Sequence, residues 1–444
     1  MRTLLQEQKI YSSSELQQFL LGLEAKYNIE SAKEKYHNLV NFSTNATVPY
    51  HQWFTYREGF AGELIKELIS MSGALPGECI IDPFCGSGTT NVVAMLSGYN
   101  SLGLDVNPMS AFISNAKIDH YSHSDIEEVR KLLSNLSDIS EIKISSSYKD
   151  IKKYFSKTNF NELVQIKSFI DSLEESKSKN ILLVAFDSII MDCSDRKRDG
   201  NGLKKHPSLV TNVKEYFFKK VNLILDDILS TSIPDTSIGG CFYNTAYNLF
   251  QEYNEHLKDL PAGAIIFSPP YANSFDYFES YKLELVFGGY AKSIAGISAL
   301  RKKAIRSFIG AEKQESCDLY VDLIANEIER AIPEKEKETE KKDTRTRKVP
   351  NMIRGYFSDM HEVIRQCAKV LPKGKKTYIV VDQSAYCGII VPTDLLLAYF
   401  GEQEGFRVGK IIECRNARTS TQQLSKYPYL KTALRESIVE LIKE

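Results

Sequence analysis

Residues 79–105 read "CIIDPFCGSGTTNVVAMLSGYNSLGLD". A short apolar strand ends on a Gly-rich turn, "DPFCGSGTT" (Asp82–Thr90). A helix follows over "TTNVVAMLSGYN", with a glycine near its end, and a second apolar strand closes on Asp105. A strand, a glycine turn, a helix and a second strand make a βαβ unit, and so predict a parallel α/β sheet. Gly86 and Gly88 let the backbone turn tightly and approach a ligand closely. Thr89 or Thr90 caps the helix, whose N-terminus then favours a negative group such as a carboxylate.

Asp105 stands 19 positions after Gly86 (105 − 86), about the spacing at which a second-strand acid reaches ribose hydroxyls in Rossmann-like sites. The turn lacks the lysine of a phosphate-binding P-loop and is not a strict G-x-G-x-x-G. Taken alone it also reads as an ordinary βα turn.

A second apolar run ends on "FSPPYANSFDY" (Phe267–Tyr277). Proline fixes φ and removes N–H donors, so the Pro269–Pro270 step holds its carbonyls in place with few competing donors. Ser268 adds a hydroxyl, and the Ser268 and Pro269 carbonyls are acceptors. Tyr271 adds a flat face on which a base can stack. The set suits a planar substrate bearing an exocyclic NH2, whose hydrogens two acceptors would hold while its lone pair is drawn out of the ring. By itself the turn also reads as a proline-rich strand terminator. Asp276, Tyr277 and Glu279 beyond it read as residues that orient the turn.

The 444 residues suit two or three domains, or one α/β domain with large insertions. With a formal net charge of −1, any positive surface must be focused on one face. Eight scattered cysteines without a Cys-x-x-Cys pair read as reduced thiols, with neither a disulfide frame nor a metal site. No run reaches membrane-spanning length and no signal-peptide pattern opens the chain, so a cytoplasmic protein is expected.

Residues 1–50 read as a helical N-terminal extension, with "SSELQQFLLGLEAKY" (Ser13–Tyr27) amphipathic. Residues 118–235 break the βα rhythm and read as a mainly helical insertion and a candidate DNA-recognition region. The rhythm returns over 236–444, interrupted at about 290–350 by an irregular block whose mixed-charge run "PEKEKETEKKDTRTRKVP" (Pro333–Pro350) reads as a solvated linker. The single tryptophan, Trp53, reads as core.

The paired motifs resemble those of the S-adenosylmethionine-dependent DNA amino-methyltransferases. "DPFCGSGTT" looks like their cofactor motif, and "SPPY" like their catalytic motif in its N4-cytosine form, since adenine-N6 members more often carry Asp or Asn at the first position. "VPYHQWFTYREGFAGELIKELI" (Val48–Ile69) is similar to the segment that wraps the cofactor. The resemblance covers about 48–117 and 237–444, with the cofactor motif ahead of the catalytic one. It implies a Rossmann-like methyltransferase sheet, mostly parallel with an antiparallel last strand, whose cofactor half is 51–117 and whose catalytic half is 236–444.

By the same resemblance S-adenosylmethionine is held by Phe60, Asp82, Pro83, Phe84, Gly86, Ser87, Gly88 and Thr89, with Asp105 on the ribose and Asn244 where the third strand usually ends in an acid. Ser268, Pro269, Pro270 and Tyr271 hold the target base. The partner implied is double-stranded DNA with the target base flipped out, which needs phosphate contacts to offset unstacking. "SDRKRDGNGLKKH" (Ser194–His206), with Arg196, Lys197, Arg198, Lys204 and Lys205, is the first candidate loop, and "RKKAIR" from Arg301 the second. Either also reads as a solvated surface. The implied activity is cytosine-N4 methylation in a restriction–modification pair, with a companion endonuclease. Adenine-N6 methylation, RNA guanine-N2 methylation and a non-catalytic specificity subunit are the alternatives.

Overall fold

Strand β2 (Cys79–Asp82) and strand β7 (Ala262–Phe267) are buried along their whole lengths, as continuous apolar runs between two helical layers must be. In the computed structural model, which describes residues 10–136, 148–200, 202–234, 237–316 and 318–444, they lie side by side and parallel.

They sit at the centre of an eight-stranded sheet. The others are β1 (Ile29–Ser31), β3 (Asn100–Asp105), β6 (Gly239–Tyr243), β8 (Lys376–Asp382), β11 (Phe406–Asn416) and β12 (Arg435–Lys443). The order is β1-β11-β12-β8-β7-β2-β3-β6. Only β12 runs against its neighbours β8 and β11, so the sheet is mostly parallel with its last strand reversed, the Rossmann-like arrangement expected. The strand order turns back between β2 and β7, and the two motifs follow those strands, where such sheets open a crevice for ligands.

Helices cover both faces. On one, Leu64, Ile65, Leu68 and Ile69 of the helix Gly62–Ser72 pack on Ile80, Ile266 and Val380. On the other, the helices Ser14–Lys26 and Val349–Val370 bury Leu16, Leu20, Ile353 and Val363 against Ile81, Ile265 and Ile379. A third core joins the helices Lys157–Ser172, Lys177–Ile189 and Val213–Ser230 to Phe278, Tyr281, Leu285 and Phe287, just beyond the Ser268–Tyr271 turn. The described residues of the 118–235 segment therefore pack on the sheet domain itself. Asp227 fastens it there by accepting from Tyr50 N at 2.9 Å, Trp53 Nε1 at 2.9 Å and Gln52 Nε2 at 2.9 Å. Trp53 is fully buried, as its apolar bulk predicted.

Three sequence expectations change. The N-terminal fifty residues are not all helical: β1 adds a parallel edge strand to β11, and three residues with an exposed pattern are too few to show alternation. The basic stretch read as a flexible loop is an antiparallel hairpin, β4 (Arg196–Asp199) with β5 (Gly202–Lys205), turned at Gly200 with φ +52°. The Pro333 linker starts inside a helix, Leu319–Thr339. A small hairpin of β9 (Ser384–Tyr386) and β10 (Ile389–Val391) was not foreseen. The seven described cysteines are free and buried, and Cys317 and residues 1–9 lie outside the described residues. No described helix is long and apolar enough to cross a membrane, and the described residues hold no metal-binding cluster of acids, cysteines and histidines.

Candidate active site

The Gly-rich turn is built by close packing. Gly86 (φ +52°) lies under the ring of Tyr56, whose Cε1 would stand 2.8 Å from a Cβ placed there. Gly88 (φ +85°) faces Ser114, whose backbone Cα would be 3.0 Å from an added Cβ. Both need glycine for conformation and for space. Asp82 holds the turn from inside, accepting from Phe84 N at 2.9 Å and Thr90 Oγ1 at 2.6 Å. Burial pushes its carboxyl up to about 7. Asp105 accepts from Gly86 N at 2.9 Å and Asn107 N at 2.7 Å, and burial raises it to about 6.

Next to this turn lies a cleft of about 380 Å³. Pro83, Phe84 and Asp105 line one side, and Ser268, Pro269, Pro270 and Tyr271 the other. The two motifs, 186 positions apart from Pro83 to Pro269 (269 − 83), share one cavity because β2 and β7 are neighbours. Ser268 Oγ donates to Tyr271 Oη at 3.3 Å, and Tyr271 Oη donates to Glu436 Oε1 at 3.1 Å. Glu436 pairs through its other oxygen with Arg415. A register shift between Glu413 and Arg415 in β11 accompanies that pairing, a bulge that re-aims the arginine. Asp382 is the cross-strand partner of Glu436, and burial followed by their mutual repulsion raises the Asp382 carboxyl well above the usual range. Burial raises Glu436 too.

The cleft fits S-adenosylmethionine. Its volume lies in the range of ligand pockets. Each Asp105 oxygen keeps a lone pair for a ribose hydroxyl after its backbone bond. Pro83, Phe84 and Val106 offer apolar faces to a base.

Some predicted residues lie elsewhere. Phe60 is buried in the core under the helix Gly62–Ser72, and Tyr56, Arg57, Glu58 and Gly59 of the same segment line the cleft in its place. Asn244 spends its amide on Thr245 N, Asn248 and Glu252, leaving Thr245 and Ala246 at the cleft. Ser87 and Thr89 line a separate small cavity behind Tyr56. Arg198 points inward: it pairs with the buried Glu284, donates to Ser280 O at 3.1 Å and sits 4.3 Å over the Tyr281 ring. Tyr281 in turn stacks on Tyr56 at 5.2 Å and donates to Glu58 at 2.6 Å. Arg301 is held by Asp276 at 2.9 Å and Glu279 at 3.2 Å, so it braces the segment after the Ser268–Tyr271 turn. Asp276 also caps the helix Tyr277–Ser280, accepting from Glu279 N at 3.1 Å. Lys197, Lys204 and Lys205 are exposed, and Arg196 is partly covered by the ring of Tyr154.

Asp382, Arg415 and Glu436 were missed by sequence reasoning. The usable signal was weak: an apolar strand closing on an acid, "YIVVD", repeats the pattern that picked out Asp82 and Asp105. Nothing in the sequence pairs it with Glu436.

A family model described as DNA methylase, of the N6/N4 type, matches residues 8–115. Type II methyltransferase M.BsoBI of Geobacillus stearothermophilus is 27% identical over 94% of this chain and 91% of its own length. Type II methyltransferase M.AvaI of a Nostoc species is 26% identical over 88% and 86%. Among solved structures, the rRNA methyltransferase aviRa from Streptomyces viridochromogenes covers 90% of this chain and 92% of its own at 9% identity and a TM-score of 0.28, too low a likeness to argue from.

Proposed function

Since the chain belongs to the DNA amino-methyltransferase family and uses S-adenosylmethionine, we propose that it methylates the exocyclic N4 of cytosine at a specific site in double-stranded DNA, as the modification enzyme of a restriction–modification pair. The observation that carries this reading is the Ser268–Tyr271 turn opening into the same cleft as Phe84 and Asp105. Serine at the first position of that turn favours cytosine over adenine. The relatives' description as Type II methyltransferases supports a companion endonuclease.

S-adenosylmethionine, when bound, supplies an electrophilic methyl group. The chain's residues position the acceptor and remove its proton. Ser268 Oγ and the Ser268 and Pro269 carbonyls accept the amine hydrogens, and the two prolines offer no competing N–H. Tyr271 presents its face to a flipped base.

Once the new N–C bond forms, the nitrogen is cationic and acidic, and one N–H proton leaves to Ser268 Oγ. The serine hydroxyl passes its own proton to Tyr271 Oη, and the tyrosine passes its proton to the Glu436 carboxylate, following the donor directions of the two hydrogen bonds. A carboxyl raised by burial, as Glu436 is, accepts that proton more readily than an exposed one. Glu436→Gln is expected to slow single-turnover transfer by about 10²-fold, at the low end of general-base effects because water can take the acidic proton of the methylated amine in its place. An unchanged rate would remove Glu436 from the path.

DNA docking on the β4–β5 hairpin is supported by its register. Arg196 faces Lys205 and Lys197 faces Lys204 across the strands. Like charges directly opposite destabilise a hairpin unless a polyanion binds there. Among the described residues none of these four cations has a carboxylate partner within ion-pair distance. Lys197→Ala, Lys204→Ala and Lys205→Ala together are expected to lower the slope of log K against log[salt] by about 2–3, at 0.9 per phosphate contact. Arg198→Ala should leave that slope alone and reduce stability, since it strands Glu284 in the interior. Binding measured at several salt concentrations, with thermal melts, separates the two; an unchanged slope for the triple variant refutes the docking.

The test of the function is methyl transfer from labelled S-adenosylmethionine to mixed genomic DNA, followed by nucleoside mass spectrometry. N4-methylcytosine is expected. N6-methyladenine would overturn the base assignment, and label appearing only in RNA would overturn the DNA substrate.

A further inference from the structure

Leu209 is 89% exposed, more than any other large apolar side chain among the described residues. A scattered surface leucine needs no explanation, but this one is held out in water by a rigid turn. Pro207 fixes φ before it. Ser208 donates its N–H to Asp195 Oδ1 at 3.3 Å and its hydroxyl to the Asp192 carbonyl at 2.6 Å. Val210 donates its N–H to Ser208 Oγ at 3.1 Å, its carbonyl accepts from Asn159 Nδ2 at 3.1 Å, and its side chain packs on the third core. The residues on both sides are tied to the protein, and the leucine stands clear.

Its surroundings are cationic. Leu209 lines a groove of about 600 Å³ with Arg57, Arg196, Lys197 and Lys219. Glu215 answers Lys219, so of the groove's lining charges Arg57, Arg196 and Lys197 stand against Asp192 alone. The turn follows directly on the β4–β5 hairpin, with His206 N donating to Asp195 O at 3.0 Å. That hairpin is anchored beside the cleft: Arg198 lies over the Tyr281 ring, and Tyr281 Oη accepts from Arg57 N at 3.2 Å. Arg57 is exposed and lines both the groove and the cleft that holds Ser268–Tyr271. A cationic groove draws a polyanion, and an apolar tip inside it finds an apolar partner only in that polyanion's base stack. A lipid surface would instead take a broad apolar face, and Leu209 is the one exposed large apolar side chain lining this groove.

We propose that Leu209 is a wedge for base extrusion: with duplex DNA docked on the β4–β5 hairpin, its side chain enters the stack where the target base has left and keeps that base in the Ser268–Tyr271 cleft. The proposal rests on the DNA reading above and adds what the phosphate contacts do not supply. Those contacts hold the duplex whether the base is stacked or extruded. Only a group that fits the vacated space favours the extruded state over the stacked one.

The test compares two short duplexes carrying the site at which the wild-type enzyme methylates genomic DNA. One is fully paired. In the other the base opposite the target is removed, so that extrusion costs little. At saturating enzyme, Leu209→Ala is expected to lower single-turnover transfer on the paired duplex by about ten- to a hundredfold, the effect of burying one leucine side chain. On the gapped duplex it is expected to stay within about threefold of the wild type. Leu209→Met, which keeps an apolar tip, is expected to recover most of the paired-duplex rate. A surface substitution of this kind leaves the fold intact. A Leu209→Ala rate equal to the wild type on the paired duplex overturns the proposal, and if binding to anionic vesicles is lost at the same time the turn belongs to a membrane contact. An equal loss on both duplexes also overturns it, since the leucine would then be an ordinary contact. A wild-type enzyme that labels RNA and no DNA would instead strike the DNA reading itself, and the wedge with it.

Discussion

Ser268→Ala is expected to lower single-turnover methyl transfer by about 10²–10³-fold, while S-adenosylhomocysteine binds as it does to the wild type. The serine is proposed to make two contacts at once: it accepts from the target amine and donates to Tyr271 Oη. Removing the hydroxyl costs a positioned hydrogen-bonding group at the reacting nitrogen, of the kind whose loss costs that much elsewhere. It also breaks the path to Glu436. The cofactor side should be untouched, because Phe84 and Asp105 reach the cleft from β2 and β3 and not from β7. Tyr271→Ala should add a loss of base stacking of about 1–3 kcal/mol, visible as weaker binding to DNA carrying an extruded base. A Ser268→Ala enzyme with full single-turnover rate would remove the turn from the chemistry.

The second large effect concerns stability. Arg435 opens β12 one residue before Glu436 and is 5% exposed. Its Nε bonds Asp394 at 2.6 Å and its Nη1 bonds Glu24 at 3.0 Å. Asp394 is fully buried and also accepts from Gln383 at 2.7 Å, Leu395 N at 2.9 Å and Ser437 at 3.0 Å. One guanidinium therefore joins the helices Ser14–Lys26 and Thr393–Gln403 to the reversed strand beside the cleft. Arg435→Met leaves two buried carboxylates without a counter-charge and is expected to cost about 3–5 kcal/mol in denaturant unfolding. Arg435→Lys should recover part of this, since it restores the charge but not the fork. A loss under about 1 kcal/mol for Arg435→Met would show that water reaches the site.

The chemistry-bearing turns were legible because their residue types are rare solutions to local problems. Gly86 and Gly88 hold positive φ under the close approach of Tyr56 and Ser114, and no other residue does both. The Pro269–Pro270 step removes donors, a property of the covalent structure that is visible in any context. The Val48–Ile69 segment reaches the cleft through Tyr56 and sends Phe60 into the core. Both are aromatic, and only packing decides which ring faces the cleft and which the core. Arg198 and Lys197 are adjacent cations in one hairpin, yet strand alternation sends the first onto Tyr281 and Glu284 and leaves the second in solvent. The alternation was hidden because the stretch carries no apolar face to reveal it.

By itself the sequence determined the βαβ unit with its glycine turn, the proline turn after a buried strand, and the parallel sheet that both imply. These depend on backbone dihedrals and on apolar runs within a few residues of one another. Tertiary structure alone decided that Glu436 lies opposite Asp382 and meets Tyr271, and that Arg415 is bulged toward it. Those partners are separated by up to 165 positions, and their contacts follow from strand order and register, which no local pattern encodes.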